Sequence, residues 1–412
     1  MNRVIFHIDV NNAFLSWTAV KMLQDGKKVD IRTIPSIIGG DEASRHGIVL
    51  AKSPIAKKFG IKTAMPIYQA KTLCPWLEVF PSDFATYKDF SNKLYNLFLS
   101  YTSKVQRFSI DESFLDMTNC FKSIEEDLSK DFKCEMLQNE LKQVYINKAE
   151  EISNMVKKNW GYTVNIGIAH NKLLAKMASD LEKPDKIHTV LDEKEMKEKL
   201  WPLSVNELLF VGKQTSAKLN KIGIKTIEDL ATFNLNVLIK VFGKYGNQMY
   251  EYANGIENSE VETTRMRPKS ISQEETLAKD ANTIEQIYRI ICKLTNDVTY
   301  KLRKEKMKAS VVCVDLRTKD FRDYSHQKKL GEPTSSTKII LEQAKKLAEE
   351  MFTGEPIRQI GVKVDKLVEL SEGVQISLLS GKENIKQDRL DQTLDNLSKR
   401  YGGKIIKRGI LD

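Results

Sequence analysis

The sequence predicts a multi-domain protein: α/β in its first half, α+β in its last third, with short helices between. Three observations carry this. A chain of 412 residues is too long for one core and long enough for several. Up to about residue 190, short apolar runs alternate with amphipathic helical stretches. After Trp201 the pattern turns to short helices, and from residue 269 it becomes strand–helix–strand–strand–helix–strand.

Taken in order, Val4-Ile-Phe-His-Ile-Asp-Val10 is a buried strand by composition, and Asn11 or Asn12 can cap the helix after it. Residues 32–66 read as strand, turn, strand and helix. Ile48–Ala51 is the second strand, and Ser53 caps a helix with Pro54 in its first position and Gly60 as its stop. Residues 84–104 predict an amphipathic helix with Tyr87, Phe90, Leu94, Leu97 and Phe98 inward. Phe108–Ile110 and Ser113–Leu115 predict two buried strands of a hairpin. A charged helical stretch (121–159), a strand (162–168) and a helix broken by Pro184 follow.

Asp111 and Glu112 sit at the hairpin tip. Two adjacent buried carboxylates need a counter-ion, and hard oxygen ligands suit Mg²⁺. Asp9, near the end of the first strand, makes a third if the strands are neighbours. Three carboxylates on strand ends can hold two metals roughly 4 Å apart and clamp an in-line phosphoryl displacement.

The order His7-Ile-Asp-Val10, then Ser109-Ile-Asp-Glu112, resembles the hallmark of the Y-family translesion DNA polymerases, and the resemblance runs over nearly the whole chain. It implies a right-hand polymerase: palm (1–10 and 83–190), fingers (11–82), thumb with a helix-hairpin-helix (191–260), linker (261–268), βαββαβ little finger (269–368) and tail (369–412). It implies Asp9, Asp111 and Glu112 as catalytic ligands of two Mg²⁺, joined by the Val10 carbonyl. The amides near Ala13 and Phe14 would face the triphosphate of an incoming dNTP. Phe14, by itself a core-facing helix residue, takes the steric-gate position against a ribose 2′-OH. Lys57 and Lys183 match the triphosphate-binding basic residues, while Lys172 and Lys176 read as supporting or solvated. Pro54 stands where many relatives carry a tyrosine that contacts the triphosphate.

Leu208–Leu230 resembles the hairpin that points backbone amides at a DNA phosphate, with Gly212, Lys213 and Thr215 as the contact residues. Phe210 replaces the earlier hairpin glycine, so an altered turn is expected. Gly223 and Thr226 fit the second turn and the next helix cap. The little finger carries 20 Lys/Arg against 15 Asp/Glu. Its basic run, Lys301–Lys308, reads as a solvated helix end and would track phosphates only on a strand face. Past it, Val374–Leu379 resembles the peptide that binds the bacterial sliding clamp, with Gln375, Leu378 and Leu379 as anchors. Residues 384–401 read as an amphipathic helix.

The net charge of +10 favours a polyanionic partner, here primer-template DNA. Cys74, Cys120, Cys134, Cys292 and Cys313 are odd in number and show no CxxC spacing. They predict neither disulfides nor a zinc site, as suits a cytoplasmic protein. No signal peptide and no membrane-spanning run is read, and a monomer is expected. Two other functions compete: a non-catalytic DNA- and clamp-binding scaffold, which loss of an acid would favour, and a cyclic-dinucleotide synthase, suggested by Gly39-Gly-Asp-Glu42. The three acids argue against the first and the DNA-gripping modules against the second.

Overall fold

The computed structural model describes residues 3–40, 47–131, 135–264, 267–369, 390–397 and 400–401. The chain divides into two compact units, Met1–Gly40 with Ile48–Arg265, and Met266–Asp412. In chain order the first unit runs β1 (Ile5–Val10), α1 (Ala13–Gln24), β2 (Ser36–Gly39), β3 (Val49–Lys52), α2 (Pro54–Lys58), α3 (Ile67–Leu73), β4 (Glu78–Pro81), α4 (Phe84–Leu99), β5 (Val105–Arg107), β6 (Glu112–Asp116), α5 (Thr118–Asp131), α6 (Glu135–Trp160), β7 (Val164–Ala169), α7 (Lys172–Asp180), β8 (Ile187–Val190) and α8 (Glu193–Lys199). Four short helices close it: α9 (Lys213–Lys221), α10 (Ile227–Thr232), α11 (Leu235–Phe242) and α12 (Lys244–Ala253).

β1 lies at the centre of a five-stranded sheet, ordered β5-β6-β1-β7-β8. All six of its residues are buried, and the period of two sorts them. Val4, Phe6, Ile8 and Val10 join a core with Trp17 of α1, Phe90 and Leu94 of α4, and Ile152 of α6. The other face carries Ile5, His7 and Asp9 toward α7, where Ile5 packs with Ala175. Gly167 lies opposite His7 in β7. A Cβ there would stand 2.0 Å from the Ala175 carbonyl oxygen and 2.4 Å from the Ser179 nitrogen. Only glycine lets α7 lie this close to the sheet.

A three-stranded sheet, β3-β2-β4, forms a separate lobe with α2 and α3. Ser53 caps α2, its Oγ accepting from the Ala56 nitrogen at 3.0 Å, with Pro54 at the first position and Gly60 at φ +82°. The α8–α12 segment packs around Leu208, Leu219, Leu230 and Leu238 in a core that also takes in Leu173 and Met177 of α7.

The second unit contains β9 (Ser270–Ala281), α13 (Ile284–Lys304), β10 (Met307–Thr318), β11 (Asp323–Thr334), α14 (Thr337–Met351) and β12 (Ile357–Glu369). This is the expected βαββαβ order. The strands form an antiparallel sheet, β11-β10-β12-β9, and share a core with Ile291 and Val298 of α13 and Leu347 of α14. Residues 390–397 are helical.

Several elements differ from expectation. Phe108–Ile110 is not a strand: β5 ends at Arg107, and Phe108 is 44% exposed in the connecting loop. Its apolar composition serves the turn, where the ring meets Phe114 edge-on at 5.3 Å. α4 stops at Leu99, and α3 and β4 lie in a stretch that the sequence left unassigned. Asn12 occupies the cap position of α1 without a side-chain cap bond; its amide instead donates to the Lys52 carbonyl at 2.7 Å. The 256–264 stretch is docked on the first unit rather than free. Arg3 donates to the Ser259 carbonyl at 2.9 Å, Lys172 to the Glu260 carbonyl at 2.8 Å, and Val261 is buried beside Ile5 and Phe114. The basic run lies mainly at the end of α13, as read, and its last lysine, Lys308, falls on β10; Arg303 donates to Asp395 at 2.6 Å and 2.8 Å. The Gly39–Glu42 turn extends beyond the described residues, and the Gln375, Leu378 and Leu379 peptide lies outside them. Among the described residues, no helix is long and apolar enough to cross a membrane.

Candidate active site

The register of the sheet brings the three acids to one end. Asp9 pairs with Glu112 across β1 and β6, and the Val10 nitrogen donates to the Asp111 carbonyl at 3.1 Å. A cavity of about 320 Å³ opens there, lined by Asp9, Val10, Asn12, Ala13, Phe14, Asp111, Glu112 and Lys183, with Leu50 and Ala51 of β3. The first turn of α1, at Ala13 and Phe14, brings backbone amides to its wall, a ready environment for phosphate. Phe14 is held from behind: its ring stacks on Tyr87 at 4.7 Å and meets Phe84 edge-on at 5.8 Å.

Each acid has a distinct partner. Lys183 pairs with Asp9 and, at 2.9 Å, with Asp180. Burial pushes the Asp9 carboxyl up to about 6, against the pull of Lys183. Burial works against the Lys183 charge too, but the two aspartates outweigh it and raise its pKa. Burial alone would raise Glu112; contacts with His7 and Lys176 outweigh it and bring the carboxyl down to about 2. Lys176 Nζ donates to Glu112 Oε1 at 2.9 Å with a side chain only 9% exposed. His7 Nε2 is 3.7 Å from Glu112 Oε2, within electrostatic reach but too far for a hydrogen bond. Its Nδ1 is 2.7 Å from Ser179 Oγ. Asp111 Oδ1 accepts from Ser109 Oγ at 2.5 Å, and Ser109 Oγ accepts from the Glu112 nitrogen at 3.0 Å.

Sequence reading passed over His7 and set Lys176 aside as supporting or solvated. The signal was present. His7 and Asp9 share a strand face by period two, and Lys176 and Ser179 lie on the helix that Gly167 draws onto that face. Lys57 is not brought to the cavity: it stands exposed on α2, while burial and then the Lys57 charge depress the pKa of Lys52. Gly212 is the cap residue of α9, Lys213 is exposed and Thr215 half-buried. Phe210 stands in the hairpin turn. It adopts φ +70° itself, the conformation that favours glycine, with its carbonyl accepting from Tyr245 Oη at 2.5 Å.

The donor set fits divalent cations: carboxylate oxygens at one cavity, from a buried Asp9 and half-buried Asp111 and Glu112. As they stand, these acids are turned to lysines and a serine. Among the described residues, no group of three or more His, Cys, Asp or Glu side chains is set to share an ion.

Comparison with known proteins agrees with this geometry. The sequence matches the impB/mucB/samB family over residues 8–180 and the C-terminal domain of that family over 268–378. Residues 207–257 match the thumb domain described for DNA polymerase-iota. The chain is 45% identical to DNA polymerase IV of Clostridium acetobutylicum over 411 residues, covering 100% of this chain and 98% of that one. It is 33% identical to DNA polymerase IV 1 of Bacillus subtilis, covering 99% and 93%. In fold it is similar to a Y-family DNA polymerase chimera of Dbh and Dpo4, with a TM-score of 0.73 at 23% identity over 89% of this chain and 99% of that one. The chain belongs to the impB/mucB/samB family and is a DNA-directed DNA polymerase of the translesion type. That membership sets aside the cyclic-dinucleotide synthase.

Proposed function

We propose that the chain extends a primer with dNTPs on a DNA template, at low fidelity, at the cavity around Asp9, Asp111 and Glu112. The observation that supports this is the meeting of three acids, from β1, the β5–β6 connection and the start of β6, with a braced aromatic and a lysine in one cavity. Asp9, Asp111, Glu112 and the Val10 carbonyl would hold two Mg²⁺. When bound, these supply charge that favours ionisation of the primer 3′-OH and stabilise the leaving pyrophosphate.

The chain's own groups do the rest. Amides at Ala13 and Phe14 and the Lys183 ammonium take up triphosphate charge, and Lys183 is the cation nearest the acids. Lys57, exposed on α2, would approach only the outer phosphates. Phe14, backed by Tyr87 and Phe84, cannot retreat from a 2′-OH. Lys176 holds Glu112 ionised and in place, with His7 buried beside it. Rate then comes from positioning and electrostatics, with no side chain assigned as general base.

In this reading, residues 1–10 and 83–190 are the palm, 11–82 the fingers and 191–260 the thumb. Gly212, Lys213 and Thr215 of the thumb grip the DNA backbone. Residues 261–268 lead to the little finger (269–368), and Gln375, Leu378 and Leu379 tether a cytoplasmic monomer to the sliding clamp. The test is primer extension. Asp111→Ala should lose extension while keeping its affinity for primer-template DNA; near-normal extension by that variant would overturn the assignment.

A further inference from the structure

The lobe built on β2, β3 and β4 carries a surface that the polymerase reaction leaves unused. Its small core is closed: Ile37, Val49, Ala56, Ile61, Ile67, Ala70, Cys74 and Leu77 pack on one another. Large rings nonetheless stand outside it, with Tyr68 66% and Trp76 63% exposed and Phe59 at 36%. Phe59 and Trp76 meet edge-on at 5.7 Å, and Tyr68 stands exposed on α3 of the same lobe. Exposed aromatics over a closed core are costly unless something covers them.

The charge around them says what. Residues 47–77 contain five lysines, Lys52, Lys57, Lys58, Lys62 and Lys71, and no Asp or Glu, in a chain that carries 55 acids among its 412 residues. Rings interleaved with lysines, with Glu78 of β4 the first acid after them, suit a polyanion with exposed π-faces. Duplex DNA hides its base faces in the stack; an unpaired strand offers both base faces and phosphates. We propose that this outer face binds single-stranded DNA, the unpaired template strand ahead of the base being copied, through stacking on Tyr68 and Trp76 and phosphate contacts to Lys58 and Lys62. It depends on the polymerase reading only for the presence of a template, and on none of the residues at the acid cavity.

The test compares binding of the full chain to two primer-templates. One carries about 15 unpaired template nucleotides, within the span such sites cover; the other carries a single one. The unaltered chain should bind the long arm more tightly. Tyr68→Ala with Trp76→Ala should reduce long-arm affinity by about tenfold or more, given the usual strength of base stacking on an aromatic ring. Short-arm affinity and primer extension should not change. Trp76→Phe should keep the preference, which a general loss of folding would not allow. Lys58→Gln with Lys62→Gln should lower the salt dependence of long-arm binding by about 1.4 in log–log slope, about 0.7 per phosphate contact. Equal affinity of the unaltered chain for both arms overturns the proposal. So does an arm preference that survives in the double alanine variant, an outcome that would assign the face to a protein partner. Failure of the unaltered chain to extend any primer would instead sink the polymerase reading.

Discussion

Asp9→Asn should make the protein more stable while abolishing its activity. Asp9 is 6% exposed, and burial lifts its carboxyl from 3.8 to about 6 even with Lys183 beside it. At 1.36 kcal/mol per unit, that disfavours the charged form in the folded state by about 3 kcal/mol. The half-buried Lys183 and solvent at the cavity mouth screen part of this, leaving about 1–2 kcal/mol. Lys183 keeps Asp180 at 2.9 Å in the variant, so no ammonium is stranded. The sign follows from proton linkage. Between 3.8 and 6 the folded state binds the proton more tightly than the unfolded one, so parent stability falls as pH rises through that window. The asparagine advantage is therefore fully present above about pH 6 and fades toward pH 4. Thermal unfolding in chelator should show the variant about 1–2 °C higher at pH 8 and nearly level with the parent near pH 4. Mg²⁺ should then stabilise the parent more than the variant. A variant less stable than the parent at pH 8, or an advantage that does not change with pH, would refute this account of Asp9.

Lys176→Met leaves Glu112 without its hydrogen-bonded cation, and with His7 still nearby the cost should be about 1–3 kcal/mol in denaturant unfolding at neutral pH. Because the Glu112 pKa is held down at about 2, that deficit should be fully present above pH 4.5 and shrink as pH falls toward 2; a neutral-pH stability equal to the parent's would count against the pairing. Phe14→Ala should relax sugar choice by about 5- to 150-fold in single-nucleotide insertion assays, the cost of overpacking a hydroxyl against a braced ring; an unchanged ratio would make Phe14 a packing residue only. Replacing Gln375, Leu378 and Leu379 together by Ala should leave extension without clamp nearly unchanged and remove stimulation by clamp, because tethering raises effective concentration without new active-site contacts; loss of basal activity and melting temperature together would mean that they pack on the protein.

Much of this molecule is local and was legible in the amino-acid order. The Ser53–Pro54 cap, the Thr226 capping box, the βαββαβ order of the second unit and the apolar run of β1 rest on propensities and periods that neighbouring residues enforce. Asp9, Asp111 and Glu112 could be named as candidates from the Ser109–Glu112 resemblance, but that they share one end of the sheet is a matter of register. What only the tertiary structure decided is which groups answer those acids. Lys176 and His7 lie 64 and 105 residues from Glu112 in sequence, and each has an ordinary local reading, a helix lysine and a strand histidine. They meet Glu112 because Gly167 lets α7 close on the β1 face that carries Asp9. Phe108 left the sheet because loop geometry outranked its apolar character. Phe210 takes a positive φ where its carbonyl is tied to Tyr245, 35 residues on.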